Sequence, residues 1–129
     1  MAVIHDTLRA APEQVWALVT DLGRWDWRSD LSRIEPTEGG FIEYTKGGYP
    51  TAFTITEFDP PRRYAFSMEN GNLTGRWAGR FSPHPSGGTS VEFTEEIFPK
   101  KALMKLAAGF YLKRQQKQYL MDLKRALGE

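Results

Sequence analysis

The sequence predicts an α+β fold in which a curved antiparallel sheet is closed by one long C-terminal helix. Three observations lead there. Residues 31–98 alternate apolar and polar side chains at period two, with turn clusters between the runs. The period is helical in the segment opening at Ala11-Pro12-Glu13, and again from Lys100 to Leu127. The turns between the β runs are short, and short turns join antiparallel neighbours. A long helix that follows such a sheet has one apolar surface to cover, the sheet's concave face.

Each element has its own warrant. Residues 2–9 read as a first strand. Pro12 occupies a tolerated first-turn position, and Glu13 places a carboxylate near the helix N-terminus. Val15, Trp16, Leu18, Val19 and Leu22 then recur at helical spacing until Gly23. The segment Arg24–Asp30 reads as a second short helix or a turn. Six further strands are expected at 31–37, 40–46, 51–58, 62–69, 72–82 and 88–98, making seven with the first. Asn70-Gly71 predicts a two-residue type I′ hairpin, which would place Tyr64 opposite Trp77 and Phe66 opposite Gly75. Lys100–Leu127 reads as one unbroken helix, roughly 42 Å long at the standard rise. Leu103, Leu106, Phe110, Leu120, Leu123 and Leu127 form its interrupted apolar stripe, with Lys113, Arg114, Lys117, Lys124 and Arg125 on the wet side.

Composition bounds the function. A chain of 129 residues, 40% hydrophobic and 26% charged, predicts one domain over 1–129 with a real core. Its net charge of +1 points to no nucleic-acid partner. The absence of cysteine excludes disulfides, thiolate nucleophiles and cysteine metal sites, and fits an intracellular compartment. Met1–Asp6 carries no basic segment and apolar run, so no signal peptide is expected. The apolar run Ala102–Leu112 contains Lys105 and is too short to span a bilayer, so stable membrane insertion is not expected. These features predict a cytoplasmic monomer or homodimer.

The strand 72–82 poses a specific question. Leu73, Gly75, Trp77, Gly79 and Phe81 share its inward face, yet two of the five carry no side chain. Gly75 and Gly79 either bend the strand to admit Trp16 or the helix, or leave a cavity. The two readings are compatible, because strong coiling opens space under the helix. Tyr64, Phe66 and Met68 share the matching face of the preceding strand. Phe53 and Ile55, with Phe41 or Tyr44, extend an aromatic lining, and Phe93 belongs to the inward face of the last strand. From the helix, Met104, Ala107 and Phe110 are the expected contributors, with Tyr111 or Arg114 near them. Trp16 and Trp25 read as packing residues, whereas Trp27 is a candidate for the pocket mouth.

Catalytic signatures are few. With only His5 and His84, no histidine metal-ligand spacing exists, and no metal site is expected. There is no nucleophile elbow, phosphate-binding glycine loop or dinucleotide fingerprint, and no cofactor is expected. His84 reads as a loop histidine; His5 is either an ordinary strand histidine or a pocket acid/base. Glu95 shares a face with Val91, Phe93 and Ile97. It is either a solvated carboxylate paired with Arg76 or Arg80, or one in apolar surroundings with a raised pKa, fit for acid/base work. Tyr64 is the third acid/base candidate.

Three stretches carry a family resemblance. Ala11-Pro-Glu-Gln-Val-Trp-Ala-Leu-Val-Thr-Asp21 followed by Trp25, Thr56-Glu-Phe-Asp-Pro-Pro-Arg-Arg-Tyr-Ala-Phe66, and Gly87-Gly-Thr-Ser-Val-Glu-Phe-Thr94 resemble, in order and spacing, motifs of the START/SRPBCC superfamily. The nearest branch is its bacterial polyketide cyclase/dehydrase-like group. That resemblance implies the helix-grip fold: a seven-stranded antiparallel sheet around a C-terminal helix, two short helices after the first strand, and a pocket between helix and sheet. It carries no universal catalytic motif. The leading expectation is therefore binding of a hydrophobic small molecule of lipid, polyketide or polycyclic aromatic type. The alternative is a polyketide cyclase/dehydratase-type enzyme using Glu95, Tyr64 or His5. A third reading is an interaction protein with a filled cavity, docking through Asp26-Trp27-Arg28 or the basic helix face.

Overall fold

The computed structural model describes residues 1–129. Its strands are β1 (Ala2–Leu8), β2 (Leu31–Thr37), β3 (Gly40–Thr45), β4 (Pro50–Asp59), β5 (Arg63–Glu69), β6 (Leu73–Pro83) and β7 (Thr89–Pro99). They form one antiparallel sheet in the order β1-β7-β6-β5-β4-β3-β2. β2 to β7 make a meander, and β1 is added beyond β7. Helix α1 (Pro12–Thr20) follows β1; α2 (Ala102–Lys105) and α3 (Ala108–Ala126) follow β7. The helix-grip architecture expected from the sequence is the one observed: sheet, long C-terminal helix and short helices.

The strands form where the period-two pattern demanded. On β6, Leu73, Trp77, Gly79 and Phe81 are buried while Arg76 and Arg80 are exposed. Gly39 and Gly87, at φ of 75° and 92°, occupy the left-handed conformation that their hairpins require. The Asn70-Gly71 turn differs from expectation. Gly71 is not left-handed, so the type I′ geometry, which needs positive φ at both central residues, does not form. Instead Asn70 Oδ1 accepts the N–H groups of Asn72 and Leu73 at 2.8 and 3.0 Å, making a wider loop. The register moves by two residues, so faces are conserved but partners change: Phe66 lies opposite Trp77, and Tyr64 opposite Gly79.

Two helical expectations are corrected. Residues 21–30 form successive turns, one of the two alternatives read for Arg24–Asp30, in place of the second short helix that the family resemblance implies after β1. Side chains hold them: Trp27 Nε1 donates to the Arg24 carbonyl at 2.9 Å, and the Ser29 N–H and hydroxyl both donate to Asp122 at 2.8 Å. The C-terminal helix is not continuous from Lys100. It breaks at Leu106–Ala107, and α3 is 19 residues long, roughly 28 Å. The chain leaving β7 must turn back across the sheet, and the short α2 makes that corner.

α3 lies over β1 and β7. Leu112, Leu120 and Leu123 are buried on its inner side, and Leu120 and Leu123 join the core that holds Leu8, Val15, Phe81 and Phe93. Between them Gln116 Nε2 donates to the Ala2 and Phe93 carbonyls at 2.9 and 3.2 Å, satisfying a buried amide. Lys124 pairs with Asp6 on β1 at 2.6 Å. No helix is long and apolar enough to cross a membrane.

Candidate functional site

Between sheet and α3 lies a cavity of about 220 Å3, lined by 28 residues of which 16 are hydrophobic. The sheet wall is aromatic. Phe66 stacks on Trp77 with centroids 4.9 Å apart and planes 10° apart, and Phe41 stacks on Phe53 at 4.7 Å. Phe53 meets Phe66 edge-on at 5.0 Å, coupling the two pairs. Tyr64, Met68 and Phe93 continue this wall. From α3, Tyr119 packs edge-on against Phe93 at 5.5 Å, and Tyr111 stands closer to the helix start. Trp27, held by the turns after α1, meets Tyr119 at 5.5 Å.

A polar cluster sits in this apolar setting. Arg28 binds Asp30 in a bidentate pair, Nε to Oδ1 and Nη2 to Oδ2, both 3.0 Å, and reaches Glu43 with Nη1 at 3.3 Å. Its guanidinium carbon lies 4.9 Å from the centre of the Tyr119 ring. Burial disfavours the Arg28 charge, but Glu43 and Asp30 outweigh that cost and hold it firmly ionised. Burial raises the Glu43 carboxyl above its ordinary value; Arg28 opposes the shift and Asp30 adds to it. Burial, with Glu43 behind it, also pushes the Tyr64 hydroxyl up to about 12, and burial likewise raises Tyr119.

Glu95 is the outlier. It lies on β7 opposite Trp77 and lines the cavity, yet its carboxylate makes no hydrogen bond or ion pair within the protein. Arg76, one of the partners considered for it, pairs with Glu96 on the outer face instead. Burial, then the nearby Glu43 charge, raises Glu95 to about 7, with Arg28 opposing. A carboxyl raised that far above its ordinary value can hold a proton near neutral pH and so donate as well as accept a hydrogen bond.

Of the residues singled out from sequence, Phe53, Tyr64, Phe66, Met68, Trp77, Phe93, Glu95 and Tyr111 line the cavity. Ile55 packs against the core beside it without lining it. Gly75 and Gly79 do not open into it, which corrects that expectation. A β-carbon on Gly79 would sit 2.5 Å from Trp77 Cη2, so the missing side chain makes room for the Trp77 indole. A β-carbon on Gly75 would sit 2.6 Å from the Glu96 carbonyl oxygen, so that glycine permits close approach of β7. Met104, Ala107 and Phe110 also lie outside the cavity. The break before α3 turns them outward, with Phe110 74% exposed. His5 projects from the outer face of β1, 3.5 Å from Glu92, away from the cavity.

Sequence reasoning placed Arg28 only at a docking corner and missed Asp30, Glu43 and Tyr119. Glu43 could have been found by parity, since Phe41, Glu43 and Thr45 alternate and all three line the cavity. Arg28 and Asp30 sit in turns, where no period assigns a face. Tyr44, the alternative to Phe41, faces out and stacks under Arg33, whose guanidinium carbon is 4.0 Å from the ring centre.

Comparison with known proteins agrees with this architecture. No curated protein matches the chain. Among solved structures, MLL2253 from Mesorhizobium loti superposes with a TM-score of 0.79 at 17% identity, covering 98% of this chain and 96% of that one. XoxI from Bacillus cereus gives 0.77 at 19% identity, covering 98% and 95%. DynU16, from the dynemicin biosynthetic locus, gives 0.77 at 16% identity; this chain covers 46% of its length. At such identities the likeness is one of fold. The sequence profile of the polyketide cyclase/dehydrase and lipid transport family matches residues 3–128, and to that family this chain belongs.

Proposed function

We propose that the protein binds a small, mostly apolar molecule in the cavity between sheet and α3. The observation that carries this reading is the aromatic wall itself, with Phe66 stacked on Trp77 and Phe41 on Phe53 facing open volume instead of packed side chains. Burying a ligand there is worth about 25 cal/mol per Å2 of apolar surface, with the few polar groups fixing its orientation. Volume narrows the class. A dry cavity of about 150 Å3 accommodates benzene, so 220 Å3 suits a one- or two-ring molecule better than an extended lipid or a large polycycle. Native mass spectrometry of protein purified from its own host tests the reading. A stoichiometric apolar molecule, released intact on denaturation, is expected. Bare protein that also fails to bind one- and two-ring probes would overturn it.

Glu95 favours a second reading, a cyclase/dehydratase-type enzyme. An unpaired carboxyl titrating at about 7 beside an aromatic-walled cavity is suited to moving a proton on a bound carbonyl compound. Recovery of a chemically altered ligand, abolished in Glu95→Gln, would select turnover over carriage.

A further inference from the structure

The cavity's charges are unbalanced. Asp21, Asp30, Glu43 and Glu95 line it against Arg24 and Arg28, four carboxylates to two guanidinium groups. Arg24 and Asp21 are at the exposed rim, which leaves Arg28 as the only interior cation. It is already committed: Nε and Nη2 are held by Asp30, Nη1 by Glu43, and one face of the guanidinium rests on Tyr119. An incoming carboxylate or phosphate would find no free cation there and would face Glu95 and Glu43 across a poorly solvated space. An incoming cation meets the opposite situation. Glu95 is without a partner, and aromatic rings line the cavity beside it, Trp77 opposite it on β6 and Phe93 two residues before it on β7, the kind of surroundings that favour a positive charge.

We propose that the ligand is a small organic cation, a one- or two-ring ammonium compound whose charge pairs with Glu95 while its ring lies along the Phe66–Trp77 stack. The inference rests on the binding reading above and adds the ligand's charge. The groups facing Glu95 from the packed elements are Glu43 on β3, Tyr64 on β5, Tyr111 and Tyr119 on α3, and Arg28 and Asp30 from the turns. Burial raises all three tyrosines above their ordinary value, so they stay neutral while Glu95 ionises. A bound cation stabilises that ionised Glu95, so its affinity rises with pH across the Glu95 titration.

Three probes of matched size test this: phenyltrimethylammonium, its neutral isostere tert-butylbenzene, and the anion phenylacetate, titrated calorimetrically at about pH 8. The cation should bind at least about tenfold tighter than the isostere, and the anion weakest of the three. Glu95→Gln, with folding checked by circular dichroism, should reduce the cation's advantage to within about threefold, and Glu95→Asp should restore part of it. Equal binding of cation and isostere, or an undiminished preference in Glu95→Gln, overturns the charge assignment while leaving the cavity reading in place. Phenylacetate binding tightest also overturns it. Failure of all three probes overturns both.

Discussion

Asp122 Oδ2 accepts the backbone N–H and the hydroxyl of Ser29, each at 2.8 Å, across 93 residues of chain. Gln118 and Arg125 fill the other oxygen at 2.9 Å, and the side chain is fully buried at 0% exposure. One carboxylate therefore fastens the turns that carry Trp27, Arg28 and Asp30 to the C-terminal part of α3. Burial works against the Asp122 charge, but the Ser29, Gln118 and Arg125 hydrogen bonds prevail and hold its pKa below the ordinary carboxylate value.

Removing that fastening should be costly. Asp122→Ala removes a buried carboxylate that accepts four hydrogen bonds and should cost on the order of 2–4 kcal/mol in chemical denaturation. Because the folded pKa is depressed, the stabilisation is fully present above the unfolded carboxylate value and is lost as pH falls through the folded one. Asp122→Asn should therefore lose stability at neutral pH yet show a shallower acid transition. Parallel acid curves would refute the assignment.

Glu95 predicts the opposite slope. Its folded pKa, about 7, lies above the unfolded value, so between roughly pH 4 and 7 the native state holds a proton that the unfolded chain has released. Stability should fall as pH rises through that window and level off above it, by at most about 3–4 kcal/mol. Glu95→Gln should flatten the curve and exceed the wild type in stability at about pH 8. Urea midpoints across this range decide it.

Gly79→Ala tests the purpose of the glycine. The new methyl would meet Trp77 Cη2 at 2.5 Å and Phe81 Cε2 at 3.2 Å, both rings buried in the sheet wall. Overpacking of this kind costs about 1–3 kcal/mol. The displaced indole should also weaken binding of any aromatic probe, which calorimetry reads separately from stability.

The helix break separates two sets of leucines that look alike in the sequence. Leu103 and Leu106, at 86% and 90% exposure, should tolerate serine within about 0.5 kcal/mol. Leu123, at 0%, should lose about 2–5 kcal/mol as alanine. Comparable losses at Leu106 and Leu123 would mean that the helix runs unbroken from Lys100.

These contrasts show how far the sequence could be read. Alternation on β4 to β7 identified the cavity wall, because parity survives a register error: the Asn70 loop shifted every β5–β6 partner by two, yet Phe66 and Trp77 stayed on one face. Nothing between Lys105 and Ala108 signals a helix break, since Leu and Ala are good helix formers; the corner is imposed by the path from β7 back over the sheet. The place of Arg28 inside the cavity was invisible for a related reason. Its role depends on Glu43 and Tyr119, partners supplied by β3 and α3, and no local pattern encodes a meeting of three distant segments.

The place of β1 beyond β7 has a consequence during synthesis. β1 leaves the ribosome first, but its partners, Thr89 to Glu95, follow some eighty to ninety residues later. The nascent chain therefore carries an unpaired strand through translation of almost the whole meander, and closure of the sheet is a late, long-range event. Asp6, which faces inward to Lys124 once α3 is in place, puts a charge on the inner face of the waiting strand, a device that discourages pairing with the wrong edge.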